Sequence, residues 1–487
     1  MGTRAAWGRR RQWTLSLVTA AALLECSDEN LLPAVFREVG AALGASPAAL
    51  GSMTLCRALV QALCYPLAMW AAARFDRARV VAAGTFLCAA ATALVGASST
   101  VLQMAVARGF NGVGMALVLP AVYSLVADYS DDDTRGSTFG WVFMVLGVGS
   151  AMGNSMGVLL APNAFFGVPG WRLAFHALAL VSVAIAVATW LLAADSRPGT
   201  RNTKAAPAVA ELAREAKAVV SVPTFWIIVA QGAAAQVPWL ALTFMAMWLE
   251  LEGFTHWETT VITSLNCFSN GLGALLAGFA GDLAARRFPD AGRVALAQAS
   301  NASIVPLAAL LLLPARPGWP LAGAVYAGGF FLLGVAMAWS TVSTSSPILA
   351  EIVPEKARTA AYALDLCLEN VVASFGAPVV GILAERVFGY RPRAASGGAS
   401  AQAADRRNAA ALGKAIFAEI AVPATICCVA YSALYWTYPA DRKRARMAAD
   451  ALALQEAPGD KKNYGCEASE AAADGFKQPL LSVTVTE

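Results

Sequence analysis

The chain has 487 residues, 58% of them hydrophobic and 14% charged, with a formal net charge of +4. Soluble domains carry about 25% charged residues, so this composition excludes an ordinary soluble protein, and so small a net charge gives no basis for nucleic-acid binding. Only two histidines are present, and nine cysteines form no Cys-x-x-Cys pair. No zinc site, disulfide framework or other metal or cofactor motif can be read from them, and no nucleophile–base motif points to an enzyme.

A helix that crosses the hydrocarbon needs about 20 apolar residues. Long apolar runs without polar alternation predict helical spans at 13–35, 50–70, 80–97, 101–125, 138–160, 173–194, 224–249, 259–279, 294–314, 321–350, 360–384 and 414–438. A membrane β-barrel would instead alternate apolar and polar residues in short segments. The predicted fold is therefore an all-α membrane protein with twelve transmembrane helices in two six-helix bundles. Residues 1–12 form a short basic N-terminus, and the apolar run after them reads as a retained first span rather than a cleaved signal. The N-terminal bundle covers 13–195, a basic linker 196–221, the C-terminal bundle 222–440 and a polar tail, expected to be disordered, 441–487. Most lysines and arginines fall on one set of loops, which predicts both termini in the cytoplasm. Neither the plasma membrane nor an endomembrane is singled out. A monomer is expected.

Acids inside apolar spans are costly and commonly mark an ion or substrate path. Glu25, Asp28 and Glu29 lie in the first span at i, i+3 and i+4, on one side of a helix. Arg57 and Arg108, in the second and fourth spans, are candidate partners at similar depth. Asp365, Glu369 and Asn370 form a second polar group in the eleventh span. Together these eight residues are the candidates for coupling and cavity lining, and structural ion pairing is the alternative role for the acids.

The two halves repeat each other. LVADYSDDDTRG (125–136) aligns without a gap on ILAEIVPEKART (348–359), placing Asp128 on Glu351 and Arg135 on Arg358. A second echo joins AMWAAARFDRARV (68–80) to GFAGDLAARRF (278–288). Parallel repeats of six spans are the plan of a transporter that rocks two bundles about a central site. Arg77, Asp128, Arg135, Asp282, Arg286, Glu351 and Arg358 are the expected gate cluster on the cytoplasmic side.

At these loops the chain resembles the major facilitator superfamily. Gly278, Gly281, Asp282, Arg286 and Arg287 match much of the family's loop after its second span, repeated here after the eighth. In the first half Ala73 stands in place of the acid and Asp76 in place of a glycine. Arg108-Gly109 with Gly112 and Gly114 is similar to the family's fourth span, and Gly170-Trp171-Arg172 to its approach to the sixth. ECSDENLLPAVFREVG (25–40) looks most like the spinster-type branch and related plant proteins, although Glu29 replaces that branch's arginine and Met115 its span-four glutamate. Gly140, Gly149, Gly153 and Gly157 keep the spacing of an antiporter motif of the family, with Asn154 in place of its proline. The same stripe also suits plain close packing of helices.

The resemblance implies alternating access. The expected function is secondary active transport of a small organic solute, coupled to protons. A spinster-like lipid or lysolipid carrier, or a non-transporting membrane sensor on the same fold, are the alternatives. The expected partners are the membrane, protons and a small-molecule or lipid substrate.

Overall fold

The structure is a computed structural model. It describes residues 2–129, 135–165, 167–193, 217, 219–314, 321–339, 344–353, 358–391 and 399–456. The loop acids at 130–134, most of the linker and the tail from 457 onward lie outside the described residues.

The first half is built from α1 (Gly2–Ala34), a short α2 (Phe36–Leu43), α3 (Pro47–Arg74), α4 (Arg77–Ala97), α5 (Val101–Tyr129), α6 (Arg135–Leu160) and α7 (Gly170–Leu192). A two-residue hairpin, β1 (Ala164–Phe165) with β2 (Val168–Pro169), joins α6 to α7. The second half contains α8 (Pro223–Ala241), α9 (Met245–Leu251), α10 (His256–Arg287), α11 (Gly292–Leu312), α12 (Ala322–Met337), α13 (Ser346–Ile352), α14 (Arg358–Ala373), α15 (Gly376–Ile382) and α16 (Ala399–Glu456). Among the described residues, ten segments are long and apolar enough to cross a membrane. The acid-bearing α1 and the shorter apolar helix α12 complete the expected twelve.

Local chemistry sets several boundaries. Gly44 adopts a left-handed conformation (φ 61°) between α2 and α3, where a side chain would be strained. Ser46 caps α3 and Pro47 occupies its first turn, where a missing N–H costs nothing. Thr255 and Glu258 form a reciprocal capping box at the start of α10. Asp76 caps α4 through the backbone N–H of Arg79, so the residue that departs from the family pattern has a structural use. Pro238 removes a helix hydrogen bond in α8, and a 3-10 turn at Leu242–Phe244 separates α8 from α9.

Three features extend the sequence reading. The helix that forms span 1 begins at Gly2, well before the apolar run. The eleventh span is broken at Ser374 and Phe375 into α14 and α15, followed by a π-helical turn over Leu383–Val387. Between the expected eleventh and twelfth spans the chain is helical from Ala399, and α16 continues past the expected start of the tail to Glu456.

Small residues set the helix spacing. A side chain on Gly149 or Gly153 would collide with the backbone oxygens of Leu23 and Ser27, and one on Gly157 with Ala34. The glycine stripe of α6 thus seats α6 against α1. Asn154, which replaces the motif's proline, points the other way and bonds Thr263 of the second half. Beside it, Ser155 and Ser264 hydroxyls lie 2.8 Å apart.

Candidate functional site: a polar cavity between the halves

A cavity of about 360 Å³ opens between α1, α3 and α6 on one side and α8, α9 and α10 on the other. That volume lies within the range of small-ligand pockets, about 300–1,000 Å³. The first half contributes Glu29, Asn30, Thr54, Arg57, Ser150 and Asn154. The second contributes Thr243, Thr263, Asn266 and Asn270, and Phe143, Leu146, Trp239, Leu240, Leu242 and Met245 give the cavity a substantial apolar wall. Both halves therefore bring hydroxyls and amides, and the first half also brings an ion pair.

The three acids of α1 go to different environments. Glu29 lines the cavity; its carboxylate accepts from Arg57 Nη2 at 2.7 Å and keeps 40% of its side-chain exposure, while Arg57 keeps 4%. Arg57 Nη1 also donates to Gln61 Oε1 at 2.8 Å, and its Nε is buried without a partner. Asp28 turns into the first bundle. Its Oδ2 accepts from Arg108 Nη1 at 3.0 Å and Asn111 Nδ2 at 2.6 Å, and its Oδ1 accepts from the Thr92 hydroxyl at 2.7 Å. All four of these side chains are almost fully buried. Glu25 is buried beside Cys88 and Thr85, with Oε2 lacking a hydrogen-bond partner. Neither Glu25 nor Asp28 touches the cavity.

Asp365 and Glu369 are buried next to each other within the second half. The Glu369 carboxylate fills the space left by Gly232 of α8. Asn370 donates to Leu366 O at 2.7 Å within its own helix. None of the three lines the cavity. Asn266, besides lining it, donates to Phe330 O at 2.9 Å and ties α10 to α12. Gln231 bonds Ser345 at 2.6 Å inside the second half.

Of the expected gate residues, Arg77 is buried at the start of α4 and Arg286 is exposed at the end of α10. Glu351 forms an ion pair with Arg442, whose Nε lies 2.7 Å away, and accepts from the Tyr438 hydroxyl at 2.7 Å. The side chains of Asp128, Arg135, Asp282 and Arg358 lie outside the described residues. Arg442 is a partner that the sequence did not single out, because it sits in a basic run that charge bias alone explains.

At the end opposite the termini the halves meet closely. Arg37 of α2 pairs with Glu250 of α9 at 3.3 Å and with Asp405 of α16 at 3.9 Å. The Ala48 backbone N–H donates to Glu385 at 2.7 Å, and the rings of Phe36 and Phe244 lie 5.1 Å apart. Gly51 and Gly381 let α3 and α15 cross almost backbone to backbone, against Ala377 and Ala48 respectively. The cavity is thus closed off at this end.

The pattern of the Major Facilitator Superfamily matches residues 17–364, well over half of the chain. The chain belongs to the major facilitator superfamily. Its fold is similar to that of a bacterial homolog of the human lysosomal transporter Spinster, solved in an inward-facing and unoccupied conformation. The TM-score is 0.74 at 20% identity, over 89% of this chain and 98% of that one. A D-xylose-proton symporter is similar with a TM-score of 0.64 at 14% identity, over 87% and 97%. At such identities the likeness is one of fold. By sequence, the chain is 28% identical to Multidrug resistance protein 1 of Bacillus subtilis over 24% of its own length and 30% of that protein's. It is 24% identical to the putative multidrug resistance protein MdtD of Serratia proteamaculans over 39% of each. These matches span less than half of either relative. The family places the chain among multi-pass membrane transporters.

Proposed function

We propose that this chain is a secondary active transporter that moves a small organic solute by alternating access, with protons as the coupling ion, and that solute and proton meet at the Glu29–Arg57 pair. The observation that carries this reading is the asymmetry of the cavity. A half-exposed acid on a buried arginine faces a wall of amides and hydroxyls across the interface of the two halves. Polar groups on both walls bind a solute that can hydrogen-bond to both halves at once, and such a solute favours whichever closure brings the halves together.

The Glu29–Arg57 pair can be opened from the cavity, because Glu29 lines it and is partly exposed there. A proton taken by Glu29 frees the Arg57 guanidinium for a carboxylate or similar anionic group of the solute, so the two travel together. The Asp28–Arg108 pair is sealed and has no such access; it serves as a strut. Asp365 and Glu369, buried in the other half, do not line the cavity. The ion pair and amides of the cavity wall support a solute that carries a charged or polar group, with its carbon frame against the apolar wall.

The test is uptake by purified protein in sealed liposomes, across a panel of small organic acids, uncharged sugars and a lysolipid. An imposed pH gradient should drive accumulation of at least one organic acid, and a protonophore should abolish it. Uptake confined to the lysolipid, or solute movement indifferent to the gradient, would overturn the proposal.

A further inference from the structure

The closed end of the molecule holds a charge cluster that the transport cycle proposed above does not use. Arg37 and Glu38 come from α2 in the first half, Glu250 from α9, His256 from the first turn of α10 and Asp405 from α16 in the second. Glu250, 6% exposed, is the hub: one oxygen lies 2.7 Å from His256 Nδ1 and the other 3.3 Å from Arg37 Nη1. Glu38 stands beside it, with carboxylate oxygens of Glu38 and Glu250 and a ring nitrogen of His256 all within 4.8 Å of one another. One Glu38 oxygen is buried without a hydrogen-bond partner. Tyr390 and Glu385 flank the Arg37–Asp405 contact from the segment between α15 and α16. Glu250 and Asp405 therefore both pair with the Arg37 guanidinium, and Glu38 faces Glu250 across the seam between the halves.

We propose that Glu38 is a proton-operated trigger at this end: protonated, it lets α2 latch onto α9 through Arg37–Glu250; ionised, it repels Glu250 across the seam and releases the latch. The unpartnered oxygen is where the proton resides. Burial and the neighbouring Glu250 charge push the Glu38 carboxyl up to about 7, partly offset by Arg37 and His256. In the unlatched state the side chain is solvated and returns towards the ordinary glutamate value, about 4.3. The group binds its proton more tightly in the latched form. Its contribution to latching is thus fully present below about pH 4 and is lost as the pH rises through about 7. Acid on this side of the membrane closes this end, and alkali opens it.

The latch can be read without knowing the solute, so its failure is separable from failure of the transport proposal. Spin labels at exposed positions on the two sides of the seam, Ala42→Cys and Ala410→Cys in a background free of native cysteines, report the separation by double electron–electron resonance in nanodiscs. Between pH 5 and pH 8 the ratio of closed to open populations should fall by about tenfold or more. Glu38→Gln, a permanent mimic of the protonated acid, should stay closed across that range, while Arg37→Gln should open it at every pH. A pH-indifferent distance distribution in the wild type, or an undiminished pH response in Glu38→Gln, would overturn the proposal. Thermal unfolding of each variant at pH 5 confirms that the labelled protein is folded.

Discussion

Asp28→Asn isolates the value of a single buried charge. In the wild type, Asp28 Oδ2 accepts from Arg108 and Asn111, and Oδ1 from Thr92. An asparagine with its carbonyl at the Oδ2 position keeps both of the first bonds. Its amide group then faces the Thr92 hydroxyl, which can accept from it while donating to Cys88 O, 2.8 Å away. Shape and hydrogen bonds survive, and what is lost is the counter-charge of Arg108, a side chain 1% exposed. Leaving one member of a buried pair uncompensated costs about 3–5 kcal/mol. The change Glu29→Gln, at a side chain that is 40% exposed and borders the cavity, should cost less, because that end of its pair is open to the cavity. Two acids adjacent in sequence should therefore behave oppositely. Purified Asp28→Asn should unfold at a clearly lower temperature in detergent and yield poorly, whereas Glu29→Gln should resemble the wild type. Asp28→Asn combined with Arg108→Met should recover much of the loss, since the orphan cation is then gone. Equal thermal stability of Asp28→Asn and the wild type, or no recovery in the double variant, would refute the assignment of this pair as a structural strut.

Two further perturbations test the packing. Gly153→Val places a branched side chain against the Ser27 backbone, and overpacking of this kind costs about 1–3 kcal/mol; separation of α1 from α6 should lower the unfolding temperature and also distort the Asn154–Thr263 contact, so transport should fall further than stability alone explains. Glu351→Gln removes the charge that Arg442 and Tyr438 hold at 2.7 Å; faster backbone hydrogen exchange confined to α13 and the adjoining stretch of α16 is the expected sign, and unchanged protection there would exclude an anchoring role.

The broad plan was legible in the sequence because hydropathy reports directly on spans. The alignment of 125–136 with 348–359 announced two halves. The role of each acid was less legible. Positions 25, 28 and 29 share one side of a helix, but adjacent residues diverge by about 100°. That rotation is enough to send Asp28 into the bundle with Arg108 and Glu29 into the cavity with Arg57. Thr92 and Asn111, which complete the Asp28 site, carry no signal of their own inside apolar runs. Asp76 did carry one: an acid immediately before an apolar helix is an N-cap pattern, and that use emerged only once the helix start at Arg77 was seen. The latch partners Arg37, Glu250 and Asp405 are far apart in sequence, and only the closure of the halves brings them together.

Solute-evoked proton movement tests coupling at the Glu29–Arg57 pair most directly. Liposomes loaded with a pH-sensitive dye and carrying either the wild type or Glu29→Gln are given a transported solute without an imposed gradient, and solute exchange is followed in parallel. The wild type should move protons with the solute, while Glu29→Gln should still exchange solute and move no protons. A Glu29→Gln protein that carries protons as the wild type does would contradict the placement of coupling at this pair.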